Sequence, residues 1–253
     1  VTADGYVRPL VTVDARSGNW EKAPWPSVFE LARLLPDSSW TLVGGLMVKM
    51  HAEIAGLPAP RTTVDVDSAL HLETQATSFD EAASLLRRAG YVLNEDTKHA
   101  YPFDRGTDQI DVMCADRQVI WKKHKFGGRP PFGIAGGTRA LRQTINVDVQ
   151  TRVDTVRLVV PTLQGALVLK GGAYQEDLRD KGRHAEDAVV LLACVTDSTG
   201  IWIGLSPRSH RGVRAVVNAL VDRPGYWANH DDAVQSLARE SLAELSAIIA
   251  RGN

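Results

Sequence analysis

At Pro161 the hydrophobic period of the chain changes, and that change limits the architectures open to it. Before Pro161, short apolar runs rich in β-branched residues recur at Tyr6–Val13, Trp40–Val43, Thr63–Leu72, Gly90–Leu93, Gln109–Cys114, Thr144–Val149 and Thr155–Val160. These read as strands. Three helical patterns lie among them. Ser27–Leu35 stops at Pro36, Leu46–Ile54 follows a glycine pair, and Ser78–Gly90 opens on a Ser cap with two acids and closes on glycine. After Pro161, the segments Thr162–Tyr174, Arg183–Val195, Ser209–Val221 and Asp231–Arg251 keep an apolar repeat of about 3.6 residues and carry almost no strand signal. The expectation is an α/β (α+β) protein, with a mixed-sheet domain over 1–160 and a helical domain over 161–253.

Composition narrows the class further. Of 253 residues, 44% are hydrophobic, and 29 Lys and Arg oppose 30 Asp and Glu, so the chain is neither disordered nor uniformly basic. Cys114 and Cys194 stand apart, each in an apolar run, as buried free thiols do in a reducing compartment. No apolar run reaches the roughly 18 residues that span a bilayer. Val1-Thr2-Ala3-Asp4 has neither a basic nor an apolar leader, so the expectation is a soluble cytoplasmic protein that meets no membrane.

Chemistry concentrates in a few places. In Thr63-Val64-Asp65-Val66-Asp67, the chain's only Asp-x-Asp, a strand would project both carboxylates from one face. Like charges side by side repel, and a hard cation such as Mg2+ removes the penalty. A strand with a solvated acidic face has the same spacing. Gly44-Gly45 falls between a strand and a helix, where backbone N–H groups can approach a phosphate; a tight turn without a ligand also fits. Asp111 is a carboxylate inside an apolar strand and could complete a two-metal site with Asp65 and Asp67, while Asp104 and Asp108 read as loop residues nearby. Lys170 closes the apolar run Ala166–Leu169 and suits a phosphate, or is a stem at the edge of the core. Asp187 interrupts the next helix, with Arg183 and His184 placed to pair with it locally.

Charge is unevenly distributed. Between Arg117 and Val147 lie seven basic residues, Arg117, Lys122, Lys123, Lys125, Arg129, Arg139 and Arg142, and no acid. Trp121, Phe126 and Phe132 are interleaved with them, and glycines make the stretch loop-like. Cations attract a phosphate backbone and aromatic rings stack on unpaired bases, which makes Lys122, Lys123, Lys125, Arg129, Arg139 and Arg142 candidate RNA contacts. A basic β-hairpin with no ligand has the same composition.

Taken together, Val43-Gly44-Gly45-Leu46, His51, Arg61-Thr62-Thr63-Val64-Asp65-Val66-Asp67, Ile110-Asp111, Lys170 and Asp187 resemble the bacterial AbiEii-type nucleotidyltransferase toxins, including the MenT group, of the DNA polymerase β superfamily. The resemblance spans roughly positions 40–190. It implies a nucleotidyltransferase-type mixed sheet with a helical C-terminal region, and transfer of a nucleotide from an NTP to the 3′-hydroxyl of RNA with release of pyrophosphate. The implied acceptor is the tRNA acceptor end, the implied role is the toxin of a toxin–antitoxin pair, and the implied partner is a cognate antitoxin. Carried over by position, Asp65, Asp67 and Asp111 would hold Mg2+ or Mn2+ in a two-metal site. Gly44 and Gly45 would cradle the triphosphate, Lys170 would contact its phosphates, and Asp187 would orient that lysine or the nucleotide. Thr63 stands where some relatives carry a phosphorylated serine, and a phosphate there would block the site with about two negative charges. Two departures stand out: the superfamily's Gly-Ser is Gly45-Leu46 here, and its Lys-Asp doublet is His184-Ala185. An alternative keeps the fold but changes the acceptor to a small molecule, aminoglycoside-like, or a protein hydroxyl.

Overall fold

The computed structural model of the chain describes residues 6–59, 63–99, 101–116, 125 and 128–251. Two compact units form, Val1–Leu46 with Thr63–Pro161 and Met47–Thr62 with Thr162–Asn253. The first is mixed α/β, and the second is built of helices.

In the α/β unit the described elements are β1 (Leu10–Asp14), α1 (Trp25–Leu34), β2 (Trp40–Leu42), the opening turn of α2 (Gly44–Ala55), β3 (Val66–Leu70), α3 (Phe79–Arg88), β4 (Val92–Leu93), β5 (Pro102–Arg105), β6 (Asp108–Ala115), β7 (Phe132–Ile134), α4 (Gly137–Ala140), β8 (Thr144–Gln150) and β9 (Thr155–Pro161). They make two sheets. One runs β1-β8-β9; the other runs β2-β3-β6-β5-β4, with β7 also paired to β6. β6 is the spine of the larger sheet because it is buried from Ile110 to Ala115 and apolar there except at Asp111, so its second half can be covered on both faces. It runs parallel to β3 and antiparallel to β5. α3 carries the signals read from its sequence: Ser78 accepts the Glu81 N–H, Asp80 and Glu81 sit in the first turn, Arg87 and Arg88 in the last, and Gly90 follows at φ +89.

β5 lies outside the strands read from the sequence, whereas β6 covers the expected Gln109–Cys114 with one more residue at each end. β5 and β6 form a hairpin around Gly106 (φ +61), so Asp104 and Asp108 are strand residues and not loop residues. Asp108 pairs with Arg105, and Asp104 accepts a hydrogen bond from Asn94. Part of the basic stretch is likewise ordered, as β7 and α4.

In the helical unit, the rest of α2 joins α5 (Leu163–Glu176), α6 (Lys181–Ala193), α7 (Ser198–Trp202), α8 (Pro207–Asp222) and α9 (Asp232–Arg251). Side chains cap five of these: Thr162 for α5, Asp180 for α6, Asp197 for α7, Ser206 for α8 and Asp231 for α9. α5 and α8 cross at glycines, and a Cβ on Gly171 would stand 2.6 Å from the Gly212 carbonyl oxygen. Among the described residues no helix is long and apolar enough to cross a membrane.

Candidate active site

The β3–β6 register assembles the acidic cluster. Asp67 lies opposite Asp111, and Val66 opposite Ile110. Val66, Ser68, Ile110 and Val112 are fully buried on one face of the two strands, which leaves the alternate positions, Asp67 and Asp111, to project together from the other. Asp65, two residues earlier, joins them. One carboxylate oxygen from each of Asp65, Asp67 and Asp111 lies within 4.8 Å of the others.

Asp111 is the most enclosed of the three, with 8% of its surface exposed. Burial raises its pKa from the usual carboxylate range to about 6, the Gln109 amide works against this, and the Asp65 and Asp104 carboxylates add to it. Gln109 Nε2 donates to Asp111 Oδ1 at 2.8 Å, and Ser68 Oγ donates to the Asp111 carbonyl at 3.0 Å. Thr63 Oγ1 donates to Asp65 Oδ1 at 2.9 Å. The cluster suits a divalent hard cation on two counts: it offers only oxygen ligands, and it loads a desolvated carboxyl group with like charge that a cation would relieve.

Gly44 abuts the cluster. It has φ +68, and a Cβ placed there would fall inside the Asp67 carboxylate. The Val43 N–H donates to the Asp67 carbonyl at 3.0 Å, which fixes the close approach of the two segments. α2 therefore begins at Gly44, two residues before the expected Leu46, and both glycines lie in its first turn.

Lys170 and Asp187 come together in the helical unit. Lys170 Nζ donates to Asp187 Oδ2 at 2.6 Å, with both side chains about 95% buried. Arg183 and His184 reach Asp177, at 2.9 and 3.2 Å, because Asp177 follows the last turn of α5 and faces the start of α6, and the Asp187 charge also acts on His184. Burial, and then the Lys170 and Arg183 charges, lower the pKa of His184 to about 4, so it is neutral at pH 7. His51 is buried in α2, and its carbonyl accepts a weak hydrogen bond from the Cys194 thiol, which burial pushes up to about 12. Cys194 is an inert core thiol.

The basic candidates separate. Lys122 and Lys123 lie outside the described residues; Lys125 and Arg142 are exposed. Arg129 Nη1 donates to the carbonyls of Asn94 and Thr97, both at 2.9 Å, so this guanidinium holds the β4–β5 connection. Arg139 is half-buried in α4. The sequence reading missed Gln109 because its partner depends on side-chain direction, although its place two residues before Asp111 was a signal. It also missed Asp116, which accepts the Gly136 and Thr138 N–H groups and the Thr138 hydroxyl at the start of α4.

No family model matches the sequence, and no curated protein does. Solved structures do match. The crystal structure of an antigenic nucleotidyltransferase-like protein from Paracoccidioides brasiliensis aligns over 81% of this chain and 92% of its own, at 14% identity and a TM-score of 0.52. The solution structure of the antibiotic-resistance factor ANT(2'')-Ia aligns over 90% and 97%, at 11% identity and a TM-score of 0.32, too loose an overlay to bear on the fold. The first match shows a nucleotidyltransferase-like fold.

Proposed function

We propose that the chain is a metal-dependent nucleotidyltransferase that moves a nucleotide from an NTP to the 3′-hydroxyl of RNA, at the tRNA acceptor end, and serves as the toxin of a toxin–antitoxin pair. The observation that carries the enzymatic part is the register of β3 on β6, which gathers Asp65, Asp67 and Asp111 on one face of a nucleotidyltransferase-like fold. These three residues would hold Mg2+ or Mn2+. A bound ion supplies Lewis-acid stabilisation of the triphosphate and eases ionisation of the attacking hydroxyl.

The chain's own groups divide the remaining work. Gly44 and Gly45 place backbone N–H groups at the start of α2, where the helix dipole favours an anionic phosphate. The resemblance would have Lys170 contact the phosphates; within the helical unit its ammonium is fixed by Asp187. The RNA 3′-oxygen bonds to the α-phosphorus, the α–β bridging bond breaks, pyrophosphate leaves, and the hydroxyl proton passes to solvent. The RNA role rests on the acid-free basic stretch and on the resemblance read from the sequence; the antitoxin and the cytoplasmic setting rest on the resemblance and composition.

The test is to incubate the protein with total RNA and each labelled NTP separately, with Asp67→Asn as control. One or more RNA bands should acquire label, and the variant should lose at least about a hundredfold in rate, as expected when a metal ligand is lost. Label carried by Asp67→Asn at the wild-type rate would remove the metal-site assignment. Label on a small molecule or a protein, with none on RNA, would move the acceptor to the alternative class.

A further inference from the structure

One neutral side chain sits among the carboxylates of the larger sheet. Gln109 lies on β6 two residues before Asp111, so both project from the same face. Across β5 its register partner is Asp104. On the β3 side, Asp65 directly precedes Val66, the first residue of β3 and the partner of Ile110, and a carboxylate oxygen of Asp65 lies within 4.8 Å of one of Asp111. Gln109 is therefore bordered by Asp65, Asp104 and Asp111. A glutamate there would add a like charge at the worst point of the face. An aliphatic side chain would add no charge and no donor. A carboxamide is neutral and can donate, and Gln109 Nε2 does so to Asp111 Oδ1 at 2.8 Å.

A carboxylate can turn about its Cβ–Cγ bond and exchange its two oxygens. The main chain of Asp111 is pinned by the fully buried Ser68, whose hydroxyl donates to the Asp111 carbonyl at 3.0 Å. Gln109 supplies the complementary restraint on the side chain. We infer that Gln109 is a positioning residue: by holding Asp111 Oδ1 it fixes the rotation of this carboxylate and presents the other oxygen toward Asp65 and Asp67. The inference rests on the metal-site reading above and extends it to a residue that the Asp-x-Asp pattern does not reveal. In that reading Gly44 and Gly45 cradle the triphosphate and Asp111 does not, so the loss should fall on turnover more than on NTP binding.

Gln109→Met keeps the side chain's length and removes the donor; Gln109→Glu keeps its shape and removes the donor when ionised. Three measurements on each full-length variant decide the matter: Mn2+ binding without substrate by electron paramagnetic resonance, kcat and KM for the NTP that labels, and the thermal midpoint. For Gln109→Met, Mn2+ affinity and kcat should each fall about tenfold, the lower end for a residue that orients a metal ligand. KM for the NTP and the thermal midpoint should stay near wild type. Should Gln109→Met not fold, Gln109→Glu carries the test, with the same loss of kcat at unchanged KM expected.

Wild-type Mn2+ binding and kcat in a folded variant would overturn the inference. So would a fall in kcat matched by a fall in thermal midpoint with Mn2+ affinity intact, since that is what a purely structural role produces. Absence of Mn2+ binding in the wild-type protein would instead remove the metal-site reading, and this inference with it.

Discussion

Gly44 meets two demands that no other residue satisfies together. Its φ of +68 lies where an L side chain costs roughly 1–2 kcal/mol. Its α-carbon also faces the Asp67 carboxylate so closely that any Cβ would displace it. Gly56, at φ +67 just past α2, shares the first demand and not the second, because nothing lies within 4 Å of where its Cβ would be. The pair separates backbone strain from site geometry. Gly56→Ala should lose about 1 kcal/mol and keep wild-type transfer, whereas Gly44→Ala should lose more stability and at least about tenfold in kcat. Denaturant unfolding with an initial-rate assay reads both; equal activity in the two variants would show that Asp67 tolerates displacement. At this scale, spacing pointed to Asp65 and Asp67, an i, i+2 pair, and a charge inside an apolar run pointed to Asp111. The closeness of Gly44 to Asp67 was not legible, since it depends on how segments far apart in sequence pack, and neither was the Gln109–Asp111 bond, which depends on side-chain direction within one strand.

Elements announce themselves when their signals are local. α3 is bounded by Ser78 and Gly90, and α5 by Thr162, within the span of their own hydrogen bonds. β5 had no such signal: Pro102-Phe103-Asp104-Arg105 does not alternate, opens on proline, and becomes a strand by pairing with β6. The α5–α8 crossing was equally hidden, as two glycines in separate helices acquire meaning only when the helices meet. There the backbones touch: a Cβ at Gly171 would lie 2.5 Å from the Gly212 carbonyl carbon, and one at Gly212 would lie 3.1 Å from the nearest atoms of α5. Contacts at 2.5 Å force the helices apart, whereas 3.1 Å asks for a shift of a few tenths of an ångström. Gly171→Ala should therefore destabilise the protein by about 2 kcal/mol or more, and Gly212→Ala by less, a ranking that thermal unfolding reads directly. The reverse order would mean that α8 yields at this crossing more readily than α5.

For the molecule as a whole, the near-balance of 29 cations and 30 anions conceals groups whose folding energies respond to pH in opposite directions. His71 and His184 are buried and neutral, with pKa values lowered by burial to about 4. They contribute stability that is present above the ordinary histidine value near 6.5 and lost as pH falls through 4. Asp111 has the opposite sign. Its pKa is raised to about 6, so its contribution is present below the ordinary value near 3.8 and lost as pH rises through 6. At pH 7.5 without metal, the ionised and crowded Asp111 costs the fold on the order of 3 kcal/mol. Comparing the wild type with Asp111→Asn cancels the histidines, which are common to both. The variant should have the higher metal-free thermal midpoint at pH 7.5, by roughly 2–4 °C for each kcal/mol relieved, and no such advantage at pH 4. Mg2+ should raise the wild-type midpoint at pH 7.5, because it binds the folded carboxylates and neutralises them, and should do far less for the variant. The advantage should appear between pH 4 and pH 6, the interval in which folded Asp111 still holds the proton that the unfolded chain has released. A variant less stable than wild type at both pH values, with an undiminished response to Mg2+, would mean that Asp111 is held by packing and bears no charge burden for a cation to relieve.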